Sequence, residues 1–294
     1  MRRSGRRIRL AILGHTGRPA VRRQAARLLS RLRRSGNEVR LDERLAAEMG
    51  LGGHPLQSLA QWCGILLSLG GDGTALAGAR ALAGRRGTLL PVNLGGLGFL
   101  TVAEAPELDR ALRRALAGEW PVARRRVLRA VVRRRERTVR RGLAVNDAVI
   151  KGAGGYAALH LRLRALGHDI GHLVADGLIA SGAAGSTAYS LSAGGPVLAP
   201  DVEALVVTPV CAHSLGSRSL VLAAGSEASV VVLGSSDRIL LLLDGQEQLE
   251  LEAGDEVRVR LDRTRVRVFE NPERPFARVL KSKLGWQGSV RRSL

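Results

Sequence analysis

Over the first hundred residues, short apolar runs closed by glycine alternate with segments whose apolar residues recur at helical spacing. RIRLAILGH (7–15) reads as a strand, and 18–35 as a helix rich in Arg, Leu and Ala. NEVRLDER (37–44) is a candidate second strand, GILLSLGG (64–71) a buried one, 75–84 a helix and TLLPVNLG (88–95) another strand. PELDRALRRALAGEW (106–120) is an amphipathic helix with Pro106 in its first turn, where a missing N–H costs nothing. Strands alternating with helices predict a parallel sheet covered by helices.

From about residue 123 the pattern changes to one β-type run after another, many alternating with period two. RVLRAVVRRR, RTVRRGLAVNDAVI, AALHLRLRAL and GHLVADGLIAS come first; ALVVTPVC, SLVLAA, EASVVVLGS, RILLLLDGQ, EVRVRL and RVRVFE follow. Gly, Ser and Asp pairs punctuate them, which predicts a sandwich-like all-β domain. PFARVLKSKLGW turns helical again, and its apolar face needs a surface to cover. The expected organisation is an α/β domain with a parallel sheet over 1–120, an all-β sandwich-like domain over 121–270, and a C-terminal helical segment, 271–294, returning to the first domain.

Composition narrows the class. The chain has 294 residues, 45% hydrophobic and 24% charged, which is globular and argues against disorder. Aromatics make up 3%, so the core rests on Leu, Val, Ala and Ile. No apolar run approaches the roughly 20 residues of a membrane span. Cys63 and Cys211 are the only cysteines, too few for a disulfide framework, and a cytoplasmic, reducing compartment is expected. The net charge of +20 is carried almost wholly by arginine: Lys151, Lys281 and Lys283 are the only lysines among 46 basic residues. The arginines are spread along helix faces and strands without stacking aromatics, so no specific nucleic-acid site is expected. A diffuse attraction for polyanionic substrates is.

The candidate chemistry begins at LSLGGDGTALAGAR (67–80), where a buried strand runs into Gly70-Gly71-Asp72-Gly73-Thr74. In an open α/β sheet, ligands sit at the carboxyl ends of strands. Glycines there let backbone N–H groups approach phosphate, with a helix N-terminus behind them. A carboxylate repels phosphate, so Asp72 makes sense as a metal ligand, as a group holding a hydroxyl, or as a proton acceptor. On these five residues alone, a tight strand–helix turn with Asp72 as N-cap remains open. The segment matches neither the GxGxxG fingerprint nor the P-loop.

GGDGT resembles the signature shared by NAD kinases and by diacylglycerol and sphingosine lipid kinases. NLGGLGFLT (93–101), VNDAVI (145–150), ADGLIASGAAGSTAYSLSAGGPVLAP (175–200), VTPVCAHSL, LDGQ and LKSKLGW resemble further NAD kinase motifs in the same order. That resemblance, from about residue 8 to 287, implies an α/β domain and a β-sandwich domain with the site between them, and transfer of the γ-phosphoryl group of ATP to the adenosine ribose 2′-hydroxyl of NAD. It implies that Asp72 orients that hydroxyl and accepts its proton, and that Gly70, Gly71, Gly73 and Thr74 cradle phosphates. It places Asn146 and Asp147 on the adenosine and Asp176 near the dinucleotide at a domain and subunit junction. Ala184, Thr187, Ala188, Tyr189, Ser190, Leu191 and Ser192 line the NAD pocket, and Gln246 completes it. Mg²⁺ or another divalent ion enters with ATP, with no dedicated metal site on the chain. A homodimer or homotetramer is implied, and neither a membrane nor a specific nucleic acid as partner.

Plainer readings stand beside these roles. Asn146-Asp147 has the composition of a turn, Tyr189 that of a core aromatic, and Asp244-Gly245 that of a hairpin turn. A lipid or small-alcohol kinase sharing GGDGT is one alternative, and a non-catalytic NAD(P)-binding regulatory protein is another. The chain also departs from the family pattern: Ser181-Gly182-Ala183-Ala184 stands where Ser-Thr-Pro-Thr is usual, and Ala77 and Ala157 stand where polar or basic residues are common.

Overall fold

The computed structural model describes residues 7–96, 98–154 and 158–285. Leu97, Ala157 and Trp286, each part of a segment read above, lie outside them. The chain divides into two compact units, 1–124 with 266–294, and 125–265.

The first unit opens with β1 (Arg9–Gly14), α1 (Pro19–Arg34) and β2 (Glu38–Leu41). Short helices α2 (Glu43–Glu48) and α3 (Leu56–Trp62) follow, neither visible in the periodicity. Then come β3 (Ile65–Gly70), α4 (Asp72–Leu82), β4 (Thr88–Asn93), the two-residue β5 (Ala103–Glu104) and α5 (Leu108–Ala117). The strands pair in parallel in the order β2-β1-β3-β4, with β5 beside β4. β3 and β4 are buried at every position, as expected of strands covered on both faces. Helix α1 turns Val21, Ala25, Leu28, Leu29 and Leu32 onto the sheet and starts with Pro19, whose ring fixes a helical φ. Helix α4 approaches closely because Gly78 has no side chain: a Cβ there would stand 3.0 Å from Leu89 and 3.2 Å from Leu66. Leu10, Ile12, Leu67, Leu69 and Leu90 share a core with α1, α2 and α5.

The second unit contains β6 (Val122–Arg134), whose first residues still belong to unit one, then β7 (Arg137–Ala144), β8 (Asp147–Gly152), β9 (Leu159–Ala165), β10 (His168–Ala175) and β11 (Gly177–Ser181). A single helical turn, α6 (Tyr189–Ser192), precedes β12 (Ala204–Val210), β13 (Leu220–Ala223), β14 (Glu227–Gly234), β15 (Ile239–Leu243), β16 (Glu247–Leu251) and β17 (Glu256–Phe269). One sheet runs β10-β9-β14-β17, with β6 pairing β17 and β7; the other runs β13-β12-β11-β8-β15-β16. Alternate residues of both meet in one core: Leu159, Leu161, Val230, Val232 and Val257 from the first, Ile150, Leu178, Leu205, Val207 and Leu241 from the second. This is a β-sandwich. The end of β17 re-enters unit one, where Arg267 and Val268 pair in parallel with β4, and α7 (Phe276–Lys283) follows there.

Two runs that read as continuous are broken. RTVRRGLAVNDAVI divides at Val145-Asn146 and GHLVADGLIAS at Asp176, and each break carries the chain from one sheet to the other. Alternation shows which face of a strand is buried but not which sheet it joins. Helix α4 also begins at Asp72, three residues before its apolar pattern does.

Candidate functional site

In unit one, β1 is followed in space by β2 on one side and β3 on the other, so the strand order reverses direction between β1 and β3. Such a switch point opens a crevice at the carboxyl ends of the strands. Gly70-Gly71 ends β3 at that place, beside Gly14-His15 at the end of β1, whose His15 N–H donates to the Leu69 carbonyl at 2.9 Å. A Cβ on Gly70 would fall 2.3 Å from the Thr74 hydroxyl, so the loop closes this tightly only with glycine. Gly71 is extended, and Asp72 is the first residue of α4 rather than its N-cap. The Thr74 and Ala75 N–H groups close the first turn on the Gly71 carbonyl, and the positive end of the helix dipole lies at this mouth.

The Asp72 carboxylate reaches across to the loop after β4. Its two oxygens accept from the Phe99 N–H at 2.9 Å and the Leu100 N–H at 3.1 Å. A Cβ on Gly98 would stand 1.9 Å from Asp72 Oδ1, so glycine is required for this approach. Asn93 shapes the same loop, accepting from the Gly95 N–H and donating to the Gly96 carbonyl. The structure thus joins two segments that in the sequence were separate motifs. Asp72 stays half-buried at the mouth of the glycine loop.

In unit two, Asn146 and Asp147 lie at the corner between β7 and β8. The corner is pinned by Asp244 from the β15–β16 turn, whose carboxylate accepts from the backbone N–H groups of Val145, Asn146 and Asp147 at 2.7–3.2 Å. The Asp147 carboxyl is buried, and burial first, then the negative charge of Asp244, pushes it up to about 7. Asn146 Oδ1 is buried and has no hydrogen-bond partner among the described residues. The loop after β11 packs directly on this corner: a Cβ on Gly185 would lie 1.9 Å from the Asn146 carbonyl oxygen. Ala184, Thr187 and Ala188, all half-buried, therefore stand beside Asn146, and the Thr187 hydroxyl turns back to the Ala184 carbonyl at 3.4 Å.

Tyr189 and Ser192 on α6 are exposed and Leu191 is half-buried. Ser190 is fully buried and bonded to the Thr208 hydroxyl at 3.1 Å, which anchors α6 to β12. Tyr189 is 44% exposed, so the core-aromatic reading fails. Asp176 is exposed at the β10–β11 break, its N–H held by the Val210 carbonyl. Gln246 is exposed in the turn that carries Asp244. From the sequence Asp244 was read only as half of a hairpin turn, and Asp72's partners Phe99 and Leu100 were not singled out; the LDGQ and NLGGLGFLT segments were the available signals. No group of three His, Cys, Asp or Glu among the described residues could hold a metal ion. A cavity of about 640 Å³ elsewhere in unit two is lined by Arg164, His168, Glu227, Glu256 and Arg258, and none of the residues read from the sequence borders it.

A switch-point glycine loop with a carboxylate at its mouth, joined in one chain to a β-sandwich, defines a phosphotransferase of the GGDGT class. The ATP-NAD kinase N-terminal domain model matches residues 56–120 and the ATP-NAD kinase C-terminal domain model residues 145–270. The NAD kinase of Geobacter metallireducens is 35% identical over 278 residues, covering 95% of this chain and 98% of the relative. That of Desulforamulus reducens is 37% identical over 235 residues, covering 80% and 82%. Yeast NADH kinase, solved with NADH, superposes with a TM-score of 0.89 at 25% identity, covering 98% of this chain and 90% of that one. An Archaeoglobus fulgidus NAD kinase solved with ATP shares the fold, with a TM-score of 0.75 over 96% of this chain and all of that one, at 23% identity. The chain belongs to the NAD kinase family. The lipid-kinase and non-catalytic alternatives receive no support from these relatives.

Proposed function

We propose that this chain is an ATP-dependent NAD kinase, transferring the γ-phosphoryl group of ATP to the adenosine ribose 2′-hydroxyl of NAD and releasing NADP. The observation that carries the reading is the Asp72 carboxylate, held by two N–H groups at the mouth of a phosphate-binding loop. Phosphoryl transfer asks the protein mainly to position its reactants and to hold the nucleophile. Asp72 orients the 2′-hydroxyl and accepts its proton, while Gly70, Gly71, Gly73 and Thr74 cradle phosphates at the α4 N-terminus. Asn146 and Asp147 take the adenosine, and the unpartnered Asn146 Oδ1 offers an acceptor to an amino group there. Ala184, Thr187, Ala188, Tyr189, Leu191 and Ser192 border the dinucleotide, with Asp176 and Gln246 at its edges; Ser190, fully buried, anchors α6.

The divalent ion that such transfers use would enter with the phosphates of ATP. The family resemblance supports a homodimer or homotetramer whose neighbouring subunit helps build the NAD pocket, which sedimentation velocity tests. Two unpaired cysteines, one buried with its thiol pushed up to about 11 by desolvation, fit a cytoplasmic enzyme. No helix among the described residues is long and apolar enough to cross a membrane.

Purified protein with Mg-ATP and NAD, read out as NADP by a coupled dehydrogenase, tests the activity. In the same assay Asp72→Asn loses about 10²–10⁴-fold in kcat, the usual effect of removing a general base. A variant within about threefold of wild type overturns the assigned role.

A further inference from the structure

The side chain of Asp244 does more than close a hairpin. It sits at φ +54° in the turn between β15 and β16, followed by Gly245 at φ +62°, and it is buried. An aspartate tolerates that conformation, but a turn alone does not need its carboxylate. Oδ1 accepts from Val145, Asn146 and Asp147 at 3.1, 2.7 and 3.2 Å, and Oδ2 accepts from Val145 at 2.9 Å. The Asp244 N–H donates to the Asp147 carbonyl at 2.9 Å. Three successive main-chain donors thus converge on one side chain. Only a carboxylate can receive them without a donor of its own in the way; an asparagine would turn an NH₂ toward N–H groups or leave donors unpaired.

The place that Asp244 pins is the β7–β8 corner, where the chain passes between sheets and no strand ladder fixes Val145 and Asn146. Asn146 in turn supports the loop after β11, since Gly185 packs on its carbonyl and the Gly182 N–H points to the same oxygen.

We propose that Asp244 is a positioning residue for dinucleotide binding: it holds the Asn146-Asp147 corner, and through it the Gly182–Thr187 loop, in the conformation that receives the adenosine end of NAD. The proposal rests on the reading that Asn146 and Asp147 bind that adenosine. Asp244 itself touches no substrate, and the chemistry at Asp72 does not depend on it.

Asp244→Asn keeps the shape and the tolerance of positive φ and removes the paired acceptors. In the full-length enzyme its KM for NAD rises by about tenfold or more, because bonds to a charged acceptor are lost, while kcat stays within about threefold. NAD affinity measured calorimetrically without ATP falls in parallel. Asp244→Asn combined with Asn146→Ala is less damaging than the product of the two single effects, since one residue acts through the other. A merely destabilising substitution instead lowers the melting temperature and gives effects on KM that multiply. If Asp244→Asn yields no folded protein, Asp244→Glu, which keeps the charge but displaces it by one methylene, carries the same expectations. An unchanged KM in a folded variant, or strict multiplicativity with Asn146→Ala, overturns the positioning role. If Asn146→Ala alone leaves NAD affinity unchanged, the adenosine-binding reading falls and the proposal with it. If Asn146→Ala weakens binding and the Asp244 variants do not, the positioning role alone falls.

Discussion

Asp147 shows how one buried carboxyl couples site and stability. Its native value is about 7, lifted by burial and by Asp244, whereas an unfolded chain ionises aspartate near ~3.9. Between those values the native state holds a proton that the unfolded state has released. Stability therefore falls as pH rises from about 4 to about 7 and is level above that. Asp147→Asn removes the ionisation but keeps the shape. At about pH 8 it should be more stable than wild type by roughly 2–4 kcal/mol, with the advantage shrinking toward zero near pH 4. Urea unfolding curves across that range check this, and an advantage independent of pH would rule out proton retention as its cause. The residue was legible in the sequence as half of an Asn-Asp pair; its burial was not, because Asp244 lies about a hundred positions away.

Among the elements, the loop between β11 and α6 carries the departure from the family pattern at Gly182-Ala183-Ala184. Gly182 is buried, yet a Cβ there would have Leu261 as its nearest neighbour, at an ordinary 3.9 Å, and its φ is not positive. Ala184 has a helical φ of −60°. A Cβ at Gly182 therefore meets only ordinary contact. Gly182→Thr, Ala183→Pro and Ala184→Thr together should lower the KM for NAD by about tenfold, with kcat changing less. The hydroxyls add about 0.5–1.5 kcal/mol each when bonded, and proline removes about 0.4–1 kcal/mol of chain entropy. Steady-state kinetics with a melting curve decides; an unchanged or higher KM in a well-folded variant means that this loop does not limit binding. The loop's composition was readable in the sequence. Its contact with Asn146 was decided by Gly185, whose missing Cβ lets two backbones meet.

At the scale of the whole molecule, the charge of +20 is the outstanding feature. Much of the arginine is engaged in ion pairs, such as Arg27 and Arg31 with Asp109, Arg129 with Asp262, and Arg134 with Asp255. The acidic residues are outnumbered, however, and the excess acts as a diffuse positive field. Apparent KM values for NAD and ATP should rise with added salt, since exposed charges are screened over about 8 Å at physiological ionic strength. DNA binding should be weak, sequence-blind and lost at that salt. Kinetics against ionic strength and a filter-binding assay check both; tight, sequence-selective DNA binding would overturn the diffuse-field view.

Local pattern was sufficient for the class of each half: fully apolar strands with intervening helices specify a covered parallel sheet, and period-two alternation specifies a sandwich. It also drew attention to GGDGT, because glycines between a buried strand and a helix let the backbone approach a ligand, although a plain turn fitted the same five residues. Tertiary structure alone decided which distant segments meet. The N–H groups that hold Asp72 come from Phe99 and Leu100, the carboxylate that holds Asn146 comes from Asp244, and two continuous β runs are cut to change sheets. The physical reason is common to all three. Periodicity records burial along one segment, whereas hydrogen bonds between loops are satisfied by whichever backbone the completed sheets bring within about 3 Å.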